Sequence, residues 1–208
     1  MPHKEIFSEE QAGLLQTVKL FREDFGLVGG TAVALQLGHR ESIDYDLFTK
    51  EPTAIFSIPK LRRRFERGAL IGKVVVDEDP EFTFTTKTNV KVTLYRFPFR
   101  VPFTVPLDRT IDMPDLLTLA AMKGYALGRR AKWKDYVDLY FILREHPLNA
   151  IAGRAREIFG HEFNEKLLRT QMAYFEDINY TEPVVFRPGH AVADEEIKRA
   201  LVEASLTL

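Results

Sequence analysis

The chain carries a glycine pair and then a pair of alternating carboxylates, Gly29-Gly30-Thr31 followed by Asp44-Tyr45-Asp46. The apolar stretch Phe25-Gly26-Leu27-Val28 precedes the glycines and Ala32-Val33-Ala34-Leu35-Gln36-Leu37 follows them, which reads as strand, turn and helix. Glycines at such a turn let backbone N–H groups approach a phosphate, and the helix N-terminus adds positive potential. If Tyr45-Asp46-Leu47-Phe48 is a strand, Asp44 and Asp46 point to the same face, because side chains alternate with period two. Two carboxylates on one face repel unless a cation lies between them. Hard divalent ions, Mg²⁺ or Mn²⁺ in its place, are held by one or two carboxylates plus phosphate oxygens. The pattern asks for a fold that sets a phosphate-gripping turn beside a metal-holding strand, as a triphosphate and its ion would require.

Composition narrows the setting. The 208 residues, 45% of them hydrophobic, suffice for a core in one domain or two small lobes. A net charge of −1 favours neither nucleic acid nor membrane through bulk electrostatics. There is no cysteine, so disulfides and thiolate zinc sites are excluded and a reducing compartment fits. Met1-Pro2-His3-Lys4-Glu5 lacks the apolar core of a signal segment, and no apolar run approaches bilayer-spanning length. The expectation is a cytoplasmic protein with no membrane partner. His3, His39, His146, His161 and His190 are dispersed without metal-ligand spacing, and only His39 falls near the glycine turn.

Along the chain, Ser8 ahead of Glu10-Gln11 marks a helix start, and Leu14, Leu15, Val18 and Phe21 continue the helical period. A helix over 31–38 ends at Gly38, a C-cap residue. The loop His39-Arg40-Glu41-Ser42 leads to the carboxylate strand. Residues 53–67 read as a helix interrupted early by Pro59, with a basic face of Arg62, Arg63, Arg64 and Arg67. That face is either solvated or a contact for polynucleotide phosphates. Segments 70–76, 82–86 and 90–95 are β-branched and aromatic and read as antiparallel strands. Asp77, Glu78 and Asp79 read as a solvated turn between them.

Pro98, Pro102 and Pro106 then break regular structure, and everything afterwards reads helical. One helix is entered at Asp112-Met113-Pro114-Asp115 and runs to about Leu127. A basic turn follows from Gly128 to Ala131, then a helix over 134–144 and two or three more, broken near Thr181-Glu182-Pro183 and Arg187-Pro188-Gly189. Trp133 reads as a packing anchor. The expected architecture is α+β: a mixed sheet with flanking helices, then an all-helical C-terminal half, as lobes 1–108 and 109–208.

Three segments in order carry a family likeness. The glycine turn is one. Arg40-Glu41-Ser42-Ile43-Asp44-Tyr45-Asp46-Leu47-Phe48 is the second. Asp115-Leu116-Leu117-Thr118-Leu119-Ala120-Ala121-Met122-Lys123, followed by Lys134-Asp135-Tyr136-Val137-Asp138-Leu139, is the third. Together they resemble the AbiEii/AbiGii toxin family of polymerase-β-like nucleotidyltransferases. The resemblance implies that fold and transfer of a nucleotidyl group from an NTP to an acceptor. It implies a toxin of a bacterial toxin–antitoxin or phage-defence system, with an antitoxin partner and tRNA as a candidate acceptor. By position, Gly29, Gly30, Thr31, Arg40 and Ser42 would serve the nucleotide, Asp44 and Asp46 the metal, and Lys123 the triphosphate charge. Asp135 and Asp138 match acidic positions of the family, and their spacing of three sets them on one helix face. The residue-level alternatives are a lysine that only snorkels from its helix edge and aspartates that pair with Lys134 and Arg129.

One position departs from the pattern. The fold usually adds a third carboxylate on a later strand, in a Val-Lys-Val-Asp-like sequence, and this chain reads Val90-Lys91-Val92-Thr93. Threonine cannot ligate a second ion or take a proton as a carboxylate does. The chain could then bind Mg-NTP without efficient transfer, use Asp135 or Asp138 in place of the missing group, or keep only a binding or regulatory role.

Overall fold

The computed structural model describes residues 2–127 and 129–207. Helix α1 (Glu9–Val18) starts at Ser8, whose hydroxyl accepts from the Gln11 N–H while the Gln11 side chain accepts from the Ser8 N–H. This reciprocal cap satisfies two orphan donors. Strand β1 (Phe25–Val28) runs into α2 (Gly29–Leu37), which stops at Gly38 in the left-handed region, φ 69°. Strand β2 (Tyr45–Thr49) carries the second carboxylate. Helix α3 spans Ile58–Glu66 rather than 53–67: Pro59 sits in its first turn, where its missing N–H costs nothing, and so it starts the helix instead of interrupting it. Strands β3 (Ile71–Glu78), β4 (Glu81–Thr86) and β5 (Lys91–Tyr95) follow.

The sheet order is β1-β2-β5-β4-β3. Only the central β2–β5 pair is parallel, so the sheet is mixed. Alternation gives it two faces. Tyr45, Leu47, Val92 and Leu94 are buried, whereas Asp46, Phe48, Lys91, Thr93 and Tyr95 are half-buried. The apolar back face packs on α1 and α3: the Tyr45 hydroxyl donates to the Gln11 carbonyl at 3.0 Å, and Phe65 packs against Phe84 and Phe21, each at 4.7 Å between ring centroids.

The expectation that all residues after Pro106 are helical needs one correction. Strands β6 (Val105–Leu107) and β7 (Ile111–Met113) form a hairpin against β1, and the expected lobe boundary at residues 108 and 109 falls in its turn. Ile111 and Met113 are buried, so a strand pattern wins over the helix-start signal of Pro114. Helix α4 (Leu116–Leu127) begins only after Asp115, whose carboxylate accepts from the Thr118 N–H at 2.7 Å. Helices α5 (Trp133–Ile142), α6 (Leu148–Phe159), α7 (Glu165–Met172) and α8 (Asp194–Leu206) complete the chain. Gly128, in the expected basic turn, lies outside the described residues.

Helix α4 is central, touching α2, α5, α6 and α7. Leu37, Phe48, Phe103, Met122 and Leu143 pack against both the sheet core and the helical core. Residues 173–193 form a long strap between α7 and α8. It bridges antiparallel to Arg40 through Phe186 and parallel to Lys132 through Asn179. Among the described residues, no helix is long and apolar enough to cross a membrane.

Candidate active site

The glycine pair lies so close to its neighbours that a side chain at either position would force a shift. Gly29 has φ +71°, and a Cβ added to it would lie 2.2 Å from Asp46 Oδ2. At Gly30 an added Cβ would lie 2.4 Å from Arg40 Nη2. The turn is therefore pressed directly against the carboxylate strand. Val28 provides no side-chain cap to α2, which leaves the first-turn N–H groups open beside Asp46. Thr31 points the other way. Its hydroxyl lies 2.8 Å from the Ser42 hydroxyl and donates to the Asp44 carbonyl, which fixes the approach to β2.

Asp44 and Asp46 differ in company. Asp44 Oδ2 lies 3.5 Å from Lys91 Nζ and 3.6 Å from Lys134 Nζ. Asp46 has no cation within ion-pair distance among the described residues, and it faces the Gly29 turn. Burial, and next the like charge of Asp44, push the Asp46 carboxyl above its ordinary range against the pull of Lys91, Lys134 and Arg130. A like-charged pair with one member unpartnered is electrostatically short of a cation.

Lys123, Asp135 and Asp138 meet in one buried network with the Arg40 loop. Lys123 Nζ donates to Asp135 Oδ1 at 2.5 Å and lies 2.7 Å from Asp138 Oδ2. Arg40 grips Asp138 with two bonds, Nε to Oδ1 at 2.7 Å and Nη2 to Oδ2 at 2.8 Å. His39 Nε2 adds a contact to Asp138 Oδ1 at 2.8 Å, and its Nδ1 has no partner. Arg130 Nε reaches Asp135 Oδ2 at 3.2 Å from the rim. Burial alone would raise the Asp138 carboxyl, yet Arg40, Lys123 and the bond to His39 hold it well below the carboxylate range. Burial opposes the Lys123 charge too, and the two aspartates outweigh it and raise its pKa. His39 is lowered by burial, against its bond to Asp138.

The partners expected for these aspartates are corrected accordingly. Lys134 pairs with Asp44 and Glu182, and Arg129 with Glu162, because α5 turns its two aspartates inward toward α2 and α4. Lys123 itself is 5% exposed rather than snorkelling.

A cleft of about 420 Å³ opens between the front of the sheet and α4, a volume in the range of small-molecule sites. Gly29, Asp46, Glu81, Lys91 and Thr93 line one wall, and Lys123, Tyr125, Arg129 and Arg130 line the other. Phe48 and Tyr95, 5.2 Å apart, form an aromatic floor. The structure thus brings Gly29, Asp46 and Lys123 to one cavity. Thr31, Arg40, Ser42, Asp135 and Asp138 are buried behind it. Sequence reading passed over Lys91, Arg130 and Glu81, which reach the cleft only through strand pairing and the α4–α5 turn. Trp133 is buried and stacks on Tyr136, with ring centroids 6.0 Å apart. The basic run of α3 lies on the opposite face of the sheet, where Arg62 pairs with Asp77 and Arg64 covers the Phe21 ring at 5.2 Å.

A mixed sheet that presents Asp46, with Asp44 just ahead of its strand and outside the cleft lining, beside a Gly-Gly helix start and under packed helices, is the nucleotidyltransferase class of fold. Solved structures of similar shape include MenT4, a nucleotidyltransferase toxin of Mycobacterium tuberculosis (TM-score 0.59, 16% identity, 94% of this chain and 82% of that one). Another is JHP933 of Helicobacter pylori (TM-score 0.57, 18% identity, 99% and 92% of the two chains). A profile of the nucleotidyl transferase AbiEii toxin family of type IV toxin–antitoxin systems matches residues 14–203, and the chain belongs to that family. An uncharacterised protein of Aquifex aeolicus is 25% identical over 205 residues, 96% of this chain and 98% of its relative.

Proposed function

We propose that the protein transfers a nucleotidyl group from an NTP, as the Mg²⁺ or Mn²⁺ complex, to a polynucleotide acceptor, with tRNA the first acceptor to test. Membership of a type IV toxin family supports a toxin role countered by an antitoxin in the cytoplasm. The observation that carries this reading is the unpaired Asp46 carboxylate beside Asp44, at the uncapped Gly29-Gly30 helix start, in a cleft that Lys91, Lys123, Arg129 and Arg130 also line.

Each residue has a physical task. Open N–H groups of Gly30 and its neighbours receive phosphate oxygens. Asp44 and Asp46 would hold the metal, which when bound supplies charge neutralisation at the phosphates and a more acidic attacking hydroxyl. Lys123 and Arg130 add positive charge from the opposite wall, where preorganised charge stabilises the developing pyrophosphate. Asp135 and Asp138 act through Lys123 and Arg40, which they fix in place. Thr31 and Ser42 lock the turn to the approach of β2. The acceptor oxygen bonds to the α-phosphorus, and the bond to the bridging oxygen breaks with its electrons leaving on pyrophosphate.

The test is incubation of the protein with each labelled NTP, Mg²⁺ and bulk tRNA. Label should appear in RNA and vanish with Asp46→Ala, and no transfer from any NTP would refute the reading. Thr93 favours a second reading, a module that binds Mg-NTP without turnover, since it pairs directly opposite Asp46 in the β2–β5 register. Calorimetry showing nucleotide binding without transfer, and activity switched on by Thr93→Asp, would select that alternative.

A further inference from the structure

The row of side chains that crosses the sheet at Asp46 continues past Thr93. Asp46 pairs with Thr93 on β5, and Thr93 pairs with Thr83 on β4. Directly paired residues share a face, so all three point toward α4. Glu81 lies two residues before Thr83 on that same face and lines the same cleft as Asp46, Lys91 and Thr93. Its carboxylate is turned back along the row: Glu81 Oε1 accepts from the Thr83 hydroxyl at 2.5 Å, and Thr83 Oγ1 lies 3.2 Å from Thr93 Oγ1.

The other acids near the cleft are already committed to cations. Asp44 faces Lys91 and Lys134, Asp135 faces Lys123 and Arg130, and Asp138 faces Lys123, Arg40 and His39. Glu81 and Asp46 have no cation partner among the described residues. Glu81 pairs with Tyr95, which pairs with Phe48, so its backbone lies two strand spacings across from Asp46 and two residues further along, about 12 Å away. Both side chains line the one cleft in which a nucleotide would sit.

We propose that Glu81 is the proton acceptor for the attacking hydroxyl, supplying from β4 the carboxylate that Thr93 does not supply from β5. This rests on the nucleotidyltransferase reading above. The Thr83 hydroxyl bond occupies Oε1 and aims the group, and Oε2 takes the proton from the acceptor O–H. The freed electron pair forms the bond to the α-phosphorus, and the bond from that phosphorus to the bridging oxygen breaks onto pyrophosphate.

Glu81→Gln keeps shape and removes proton affinity, so it tests the assignment. The single-turnover transfer rate should fall about 10²–10⁴-fold, the usual contribution of a positioned general base. NTP affinity by calorimetry and the melting temperature should stay at wild-type values. Thr83→Val is the second variant: it leaves the carboxylate but removes its aim, and the rate should fall by a smaller factor with NTP affinity again unchanged. Transfer by Glu81→Gln at the wild-type rate would overturn the inference and leave the nucleotidyltransferase reading standing. A rate loss that tracks loss of NTP binding or of melting temperature would also overturn it, by showing a structural role only. Absence of transfer by the wild-type protein would remove both.

Discussion

Asp138→Asn is the sharpest test of how the helical half serves the cleft. The network balances two buried cations, Arg40 and Lys123, against two buried anions, Asp135 and Asp138. Asparagine keeps the volume and one acceptor oxygen, but it leaves Arg40 without its bidentate carboxylate and the network with one uncompensated positive charge. Breaking one side of a buried ion pair costs about 3–5 kcal/mol. For a chain of this size each kcal/mol moves the midpoint by about 2–4 °C, so thermal unfolding followed by circular dichroism should shift down by about 6–20 °C. The acid limb should change with it. The Asp138 carboxyl is held well below its unfolded value, so its stabilisation is complete above about pH 4 and is lost as pH falls toward the folded pKa. Asp138→Asn should therefore lose less stability than wild type on acidification below pH 4. A double variant, Arg40→Met with Asp138→Leu, restores neutrality around Lys123 and Asp135. It should be more stable than Asp138→Asn alone. A midpoint shift below about 2 °C for Asp138→Asn, or a double variant at least as damaged, would refute the charge argument.

Other expectations follow from single positions. Gly29→Ala forces a left-handed residue, about 1–2 kcal/mol of strain, and drives a methyl into Asp46 Oδ2. Calorimetry should show NTP affinity lowered by about tenfold or more, and unchanged affinity would separate Asp46 from the nucleotide. Phe65→Ala removes a ring packed between Phe21 and Phe84 on the back of the sheet. Urea unfolding should show a loss of about 3–5 kcal/mol with NTP affinity retained. His39 is depressed by burial, so it resists charging in the folded state, and its share of stability is present above about pH 6.5 and lost as pH falls below it. His39→Asn should flatten the stability profile just below pH 6.5, measured by urea midpoints across that range.

What the sequence made legible was local chemistry. Ser8 with Gln11, Gly38 and the Gly29-Gly30 pair each solve a problem within a few residues of themselves, a free N–H or a positive φ, and the side chain that solves it is visible in the string. The alternation of Tyr45, Asp46 and Leu47 fixed the facing of one strand in the same way. Asp138 shows where such reading stops. Its carboxylate is matched by Arg40, 98 positions earlier, and no spacing rule links the two. Glu81 is equally silent, because only the pairing of β4 with β5 carries it to Thr93 and the cleft. The β6–β7 hairpin was hidden for a different reason. Pro106 and Pro114 signal broken structure and a helix start, while the burial of Leu107, Ile111 and Met113 that makes them strands depends on β1 being there to cover them.

The strap over 173–193 sets an order of assembly. The Glu41 N–H bonds to the Val185 carbonyl, the Arg187 N–H to the His39 carbonyl, and the Trp133 N–H to the Asn179 carbonyl. The loop that holds Arg40 and the start of the helix that holds Asp135 thus take backbone partners from a segment late in the sequence, between α7 and α8. Because chains fold as they emerge from the N-terminal side, the residues that would bind nucleotide leave the ribosome long before the backing that immobilises their network. A chain stopped before residue 179 keeps every residue assigned a chemical task, yet its Glu41 and Trp133 amides have lost their acceptors. Holding the Arg40 loop and the start of α5 in place thus takes the strap as well as the residues that line the cleft.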